Sequence, residues 1–299
     1  MIALKPVMAL IFTMIVWGVG PVFIRTVALD LGPGNALVIR YVIVTLVYLT
    51  GLFMLGSWRI AARDWPRLLI VSWIGMLGYN LGSTFGFAHV PAGIGGLIIG
   101  TQPLLIALLA ALIARERLTP ATILGLIVAF IGTGLLFWND LAAAAEGSPL
   151  LRGGFLIFMS GVAWAVYVVL AKPLIQTYGA YPVSAISIGL ATLPMLLMAS
   201  GETVDVVKSM SWRDWGNMFY LAVISTLIAT ITWNFGASRL PSAAAAAFLY
   251  LVPVIAVIAG ALMLDEKVSL NTLAGGALIL LGVAIAQVGP RLRMGLLRD

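Results

Sequence analysis

The chain has 299 residues, 62% of them hydrophobic and 9% charged, with a net charge of +6 and no cysteine. A soluble domain carries about 25% charged residues, so this composition points to lipid as the solvent, and the missing thiols exclude disulfides, thiol catalysis and thiolate metal sites. The basic residues are scattered one to three per loop, which orients a membrane protein and forms no patch for nucleic acid.

In chain order, ten segments are apolar over the roughly 20 residues that a spanning helix needs. They run Val7–Val27, Asn35–Gly56, Arg67–His89, Ala92–Ala114 and Pro120–Trp138, then Arg152–Leu174, Ala180–Ser200, Asp214–Ser238, Ala243–Leu264 and Leu270–Val288. Open sheet edges are not tolerated in hydrocarbon, so the expected fold is an all-α integral membrane protein. The first segment contains Trp17 and Pro21, lacks a small-x-small cleavage site and is followed by more spans, so it is expected to stay as a helix. Tight hairpins are expected around His89-Val90-Pro91 and Arg115–Pro120. The longest connection, about 139–151, carries an alanine run and Glu146-Gly147-Ser148-Pro149, and serves as a linker between residues 1–138 and 152–299.

Those two parts resemble each other. A shift of 150 positions carries Trp65 onto Trp215, Phe85-Gly86 onto Phe235-Gly236, Pro91 onto Pro241 and Pro103 onto Pro253. The same shift carries Glu116 onto Glu266, Gly125 onto Gly275 and Gly132 onto Gly282. Pro and Gly recur where two copies of one backbone path would need them. A weaker match at 147 carries Trp17 onto Trp164 and Arg25 onto Lys172. With the N-terminus in the cytoplasm, eleven Lys and Arg fall in cytoplasmic segments and five outside, Arg40 lying within a span; together they are the 17 of the chain. Both termini are therefore expected in the cytoplasm. Five helices per half is odd, so the halves enter from opposite sides: ten transmembrane helices as two inverted five-helix repeats, an architecture of transporters.

All eleven acids fall in loops or at span ends, so the buried carboxylate of a proton relay is missing. The single histidine, His89, stands at a helix end without a paired acid and is read as a cap. No catalytic set, metal site or cofactor site is expected. Trp58, Trp65, Trp138, Trp212 and Trp215 sit at span ends as interfacial anchors, whereas Trp17, Trp73, Trp164 and Trp233 lie deeper. Helical spacing puts Thr13, Trp17, Gly20 and Ile24 on one face, with Ser160, Trp164, Tyr167 and Ala171 as their repeat partners. Met76, Asn80, Ser83 and Phe87 share another face, matched by Thr226, Thr230, Trp233 and Ala237.

Helix packing explains any single Ser or Thr as well as a cavity does. The paired tryptophans and Asn80 favour a cavity that is aromatic, weakly polar and free of fixed charge. Tyr79, Gln102, Asn234 and Tyr250 are further candidates for its lining. Arg40 could snorkel to the interface, pair with a helix end or an acid, or meet a substrate carboxylate. Arg25 and Lys172 could snorkel or gate. Gly96 and Gly100 form a GxxxG pair suited to close helix approach, and Pro103 and Pro253 should kink their spans, so the four together could act as hinges.

Two five-helix halves, with Pro103…Glu116 matched by Pro253…Glu266, resemble the EamA repeat of the drug/metabolite transporter superfamily over nearly the whole chain. Trp17 followed by Arg25, and the run Trp233-Asn234-x-Gly236, look most like the YddG-type exporters of aromatic and other neutral amino acids. The resemblance implies an inner (cytoplasmic) membrane carrier with a central cavity and alternating access. Small multidrug resistance relatives use a glutamate in their first span; the stretch Thr13–Trp17 has none, which argues against a proton or cation antiport of that kind. The expectation is export of neutral, largely hydrophobic amino acids, as a facilitator, by a monomer holding both halves in the bilayer. The alternatives are another solute (a purine, a sugar-like or cationic compound, a drug) or a non-transporting scaffold or lipid-modifying enzyme.

Overall fold

The computed structural model describes residues 4–56, 59–114, 120–136, 148–237, 248–249 and 251–295, and every regular element among them is helical. A helix satisfies its backbone donors and acceptors within one segment, as hydrocarbon requires. Helix α1 is Leu4–Asp30 and α2 is Pro33–Leu55. Helix α3 is continuous in three pieces, Trp65–Ile70, a π-helical Val71–Leu77 and Gly78–Phe87. Helix α4 has two pieces, Ala92–Ile99 and Gln102–Ala114. Then follow α5 (Pro120–Leu136), α6 (Pro149–Tyr178), α7 (Ala180–Leu196) and α8 (Gly201–Ser209). Helix α9 again has three pieces, Trp212–Phe219, a π-helical Tyr220–Ile228 and Ala229–Ala237. Helices α10 (Leu251–Leu264) and α11 (Leu270–Gly295) complete the set.

Six of these are long and apolar enough to cross a membrane, or seven if α7 and α8 count as one bent span. Shorter apolar helices include Leu251–Leu264 and Leu270–Gly282. The chain is therefore a multi-pass membrane protein. The boundaries depart from the sequence expectations in two places. Span seven stops at Leu196, and α8 turns away by 111° through a stretch expected to be loop. A capping box on Ser200 and Thr203 starts α8, and Thr203 turns inward to donate to Asn35 Oδ1 at 2.7 Å. Span four is interrupted at Gly100-Thr101, before Pro103 rather than at it, because Pro103 has no N–H for the Ile99 carbonyl four residues back and its ring crowds that carbonyl. Most of the expected start of span nine, with Pro241 and Ala243–Ala247, lies outside the described residues, as do Glu116, Trp58, Trp138 and the linker 139–147.

The neighbours of α1 and α6 correspond. Helix α1 packs on α9 and α10, and α6 packs on α3 and α4. Helix α2 lies on α7, α4 on α10, and α5 on α11. At one end of the bundle Tyr178 donates to Asp64 at 2.5 Å, tying the end of α6 to the start of α3. At the other, Arg213 pairs with Asp30 at 2.7 Å, tying the start of α9 to the end of α1. The repeat-matched glycines explain the tightest contact. A Cβ on Gly132 would stand 2.7 Å from the Gly275 carbonyl oxygen, and one on Gly282 would stand 2.5 Å from that of Gly125. Helices α5 and α11 therefore touch backbone to backbone, where only glycine fits. Gly282→Val is expected to destabilise the protein by about 2 kcal/mol through overpacking, read as a lower melting temperature in detergent. Gly216→Ala, where an added Cβ meets nothing within 4 Å, should not lower it.

Candidate functional site

Trp17 and Trp164 occupy the middles of α1 and α6, and there they meet. Their ring centres are 6.1 Å apart in an edge-to-face arrangement. Trp233 of α9 approaches Trp17 at 5.5 Å, Tyr79 of α3 approaches Trp164 at 5.1 Å, and Tyr167 stacks on Trp164 at 5.0 Å. Five aromatic side chains from four helices thus form one cluster at mid-bundle. Tyr167 is buried, whereas Trp17, Trp164, Trp233 and Tyr79 are only partly so. These separations are those of favourable aromatic pairs. The expected polar stripe on α1 is also present: Thr13 Oγ1 lies 2.8 Å from Thr232 Oγ1 on α9.

The two π segments flank this cluster, and shifting the first by the repeat offset lays it over the second. Such wide turns are uncommon and frequent at functional sites. In α9 the Ser225 carbonyl accepts from Trp17 Nε1 at 3.1 Å. The next residue, Thr226, donates to the Leu221 carbonyl five residues back at 2.7 Å and accepts from Arg40 Nη2 at 2.7 Å. Counting every fourth residue put Thr226 on one stripe with Trp233. The widened turn breaks that register and brings Thr226 to α2 instead.

Arg40 is 8% exposed, which overturns the snorkelling alternative. Among the described residues no carboxylate lies within ion-pair distance of it, and its Nε has no hydrogen-bond partner. Its guanidinium lies 5.6 Å from the centre of the Tyr41 ring, and it binds the residue next to the one that Trp17 binds, so it borders the aromatic cluster. Sequence reasoning missed Thr226 as its partner, because the pairing crosses 186 residues and depends on the π turn.

The other candidates divide. Asn80 is buried and donates to its own helix, to the Met76 carbonyl at 2.8 Å, and Ser83 donates to the Asn80 carbonyl at 3.3 Å. Gln102 is 6% exposed with its Nε2 unpartnered, against Gly161 of α6. Thr230 is half-buried on α9. Tyr250 and the Asn234 side chain lie outside the described residues. Gly96 and Gly100 do serve close approach: a Cβ on either would stand 2.2 Å from Ala256 Cβ or 2.6 Å from Pro253 Cγ of α10. Pro103 and Pro253 sit in the first turns of Gln102–Ala114 and Leu251–Leu264, where a missing N–H is tolerated, and the break in span four falls just ahead of Pro103.

Arg25 and Lys172 differ. Lys172 is exposed. Arg25 donates to the carbonyls of Phe87 and Val90 at 3.0 and 2.8 Å and pairs with Glu266 at 3.5 Å. Glu266 in turn accepts from the backbone N–H groups of Ala92 and Gly93 at 2.6 and 2.9 Å, closing the start of α4. Asp265 makes this possible by adopting a left-handed conformation, φ 52°, after α10. This latch ties the end of α1 to α3, α4 and α10. His89 Nδ1 contacts the Phe85 carbonyl at 3.0 Å, as a helix-end cap does. Among the described residues no group of three His, Asp or Glu could hold a metal.

A helical membrane bundle with an aromatic, acid-poor centre belongs to the class of solute carriers. The model of the EamA-like transporter family matches residues 4–138 and again 151–287, and the chain belongs to that family. It is a transporter and not an enzyme. An uncharacterized transporter of Archaeoglobus fulgidus is 24% identical over 94% of this chain and 98% of its own. A probable terminal-alkyne amino-acid exporter of Streptantibioticus cattleyicolor is 29% identical, covering 94% of this chain and 93% of its own. A probable amino-acid metabolite efflux pump of Salmonella typhimurium is 26% identical over 73% of this chain and 78% of its own. A solved crystal structure superposes with a TM-score of 0.63 at 19% identity, covering 95% of this chain and 96% of that one, which shows a common fold.

Glu266→Ala removes the cap and the ion pair together. It is expected to lower stability by about 1–2 kcal/mol, seen as a reduced melting temperature in detergent, while Asp265→Gly should leave the melting temperature unchanged or raise it.

Proposed function

We propose that the protein exports neutral, largely hydrophobic or aromatic amino acids across the cytoplasmic membrane by alternating access. The observation that carries this reading is the cluster of Trp17, Tyr79, Trp164, Tyr167 and Trp233 at the centre of the bundle. Indole and phenol faces stack on apolar and aromatic side chains. A relative named a probable terminal-alkyne amino-acid exporter and another named a probable amino-acid metabolite efflux pump point the same way.

Ten spans in two inverted halves, divided near residues 139–151, complete the proposal. It is supported by the corresponding neighbours of α1 and α6 and by the ties at opposite ends of the bundle, Asp64 with Tyr178 and Asp30 with Arg213. Both termini are then cytoplasmic, and one chain suffices as a monomer. The tryptophans at the meeting of α1, α3, α6 and α9 line the solute path. Gly96, Gly100, Pro103 and Pro253 form the hinge contact of α4 with α10, the Arg25–Glu266 latch closes one end, and Lys172 stands where the opposite closure would form.

Proteoliposomes containing the purified protein should take up labelled phenylalanine, with a rate unchanged by an imposed pH gradient. Strict dependence on that gradient would rule out the facilitator. Trp164→Ala should slow uptake about tenfold, the worth of a lost aromatic contact, at normal folded yield. A collapse of folded yield would show that the ring serves packing instead. A purine or a cationic drug that outcompetes every neutral amino acid in counterflow would overturn the choice of solute.

A further inference from the structure

We infer that Arg40 and the π segment of α9 form the carboxylate subsite of the solute path. The role holds only if the solute is an amino acid, as proposed above. Arg keeps its charge under all ordinary conditions, and a charge taken out of water needs a partner. Here Arg40 as a whole is 8% exposed, and among the described residues it faces no acid. Its one hydrogen bond to a side chain is to Thr226, a neutral hydroxyl, at 2.7 Å. The Nε–H is left buried and unpaired. The Tyr41 ring beneath the guanidinium offsets part of its charge, but leaves the Nε–H without an acceptor; an anionic ligand supplies what is missing.

The location fits that ligand. Trp17 and Arg40 bind consecutive residues of one π turn, Ser225 and Thr226, from two different helices. The guanidinium therefore stands at the level of the aromatic cluster, 5.6 Å from the centre of the Tyr41 ring. The planar fork of Arg matches a carboxylate with two parallel N–H donors, and Nε together with a free Nη hydrogen offers that pair. An α-amino acid with its carboxylate on Arg40 would direct its side chain toward Trp17, Tyr79 and Trp164. One positive charge and no acid in the site selects a solute carrying a carboxylate and rejects one carrying only an amine. The π turn gives Thr226 its place: its hydroxyl hydrogen is spent on Leu221, so its oxygen can only accept, and it holds the guanidinium by one edge.

Competition against labelled phenylalanine in proteoliposomes tests this with probes that differ at one group. Phenylalaninamide, which lacks the carboxylate charge, should compete about thirtyfold more weakly than phenylalanine in the native protein, the worth of a charge-assisted hydrogen bond. Arg40→Gln should raise the half-saturating phenylalanine concentration by about the same factor while leaving the amide within about twofold, so that the two converge. Arg40→Lys keeps the charge and loses the fork. It should weaken phenylalanine about tenfold with the amide unchanged, and it serves if the glutamine variant does not fold. Equal competition by the amide in the native protein, or an unchanged ratio in both variants, overturns the role of Arg40 alone. Vesicles that move no neutral amino acid overturn the exporter reading, and this role with it.

Discussion

Water is absent from the middle of a bilayer, and every polar group there has to find its partner inside the protein. That constraint makes each regular element among the described residues helical. It also makes exceptions informative. A π turn in mid-span loosens the regular backbone ladder, and in α9 the carbonyl of Ser225 is taken up by the indole of Trp17 while Leu221 is met by Thr226. The irregular backbone is supported by the side chains of the proposed solute path. Wide turn, tryptophan and arginine are thus one arrangement: the turn exposes polar groups, and the side chains from α1 and α2 lock onto them.

The two ends of the bundle follow a different logic. They face water or headgroups, and there the charges gather. Glu266 closes the open N–H groups at the start of α4, and Arg25 neutralises it while binding the carbonyls at the end of α3. A helix start is electropositive and a helix end electronegative, so both ends are complemented at once. Four helices are held at one closure by two side chains. The contacts at the opposite end are lighter among the described residues, with Tyr178 on Asp64 as the strongest. A carrier has to open one end at a time, and an inequality of this kind between ends is what an intermediate closed on one side requires.

Glycine divides the bundle into tight and loose interfaces. Helices α5 and α11 meet at backbone distance through Gly125, Gly132, Gly275 and Gly282, and α4 meets α10 through Gly96 and Gly100. At the centre, α3 also meets α6 at backbone distance through Gly82 and Gly86, and beside that contact the large rings of α1, α3, α6 and α9 come together with part of their surface uncovered. Close-packed pairs with partly uncovered rings beside them suit a bundle whose centre admits a solute.

Much of this was legible in the sequence. Composition dictated lipid as solvent, and apolar runs of about 20 residues dictated the helix, which satisfies its backbone within one segment. Offset repetition of Pro, Gly and Trp disclosed two related parts, and helical spacing brought Thr13, Trp17 and Trp164 to the right faces, because an α-helix turns every side chain by a fixed angle. Where the angle is not fixed, that logic stops. The π turns moved Thr226 from the tryptophan stripe to Arg40, α8 formed where only a loop was expected, and Glu266 folded back from beyond α10 onto α4. Such placements depend on contacts between residues far apart in the chain, here 186 and 174 positions, and no local pattern encodes them. Sequence determined which groups the bilayer would force inward; only the packed bundle decided which of them would meet.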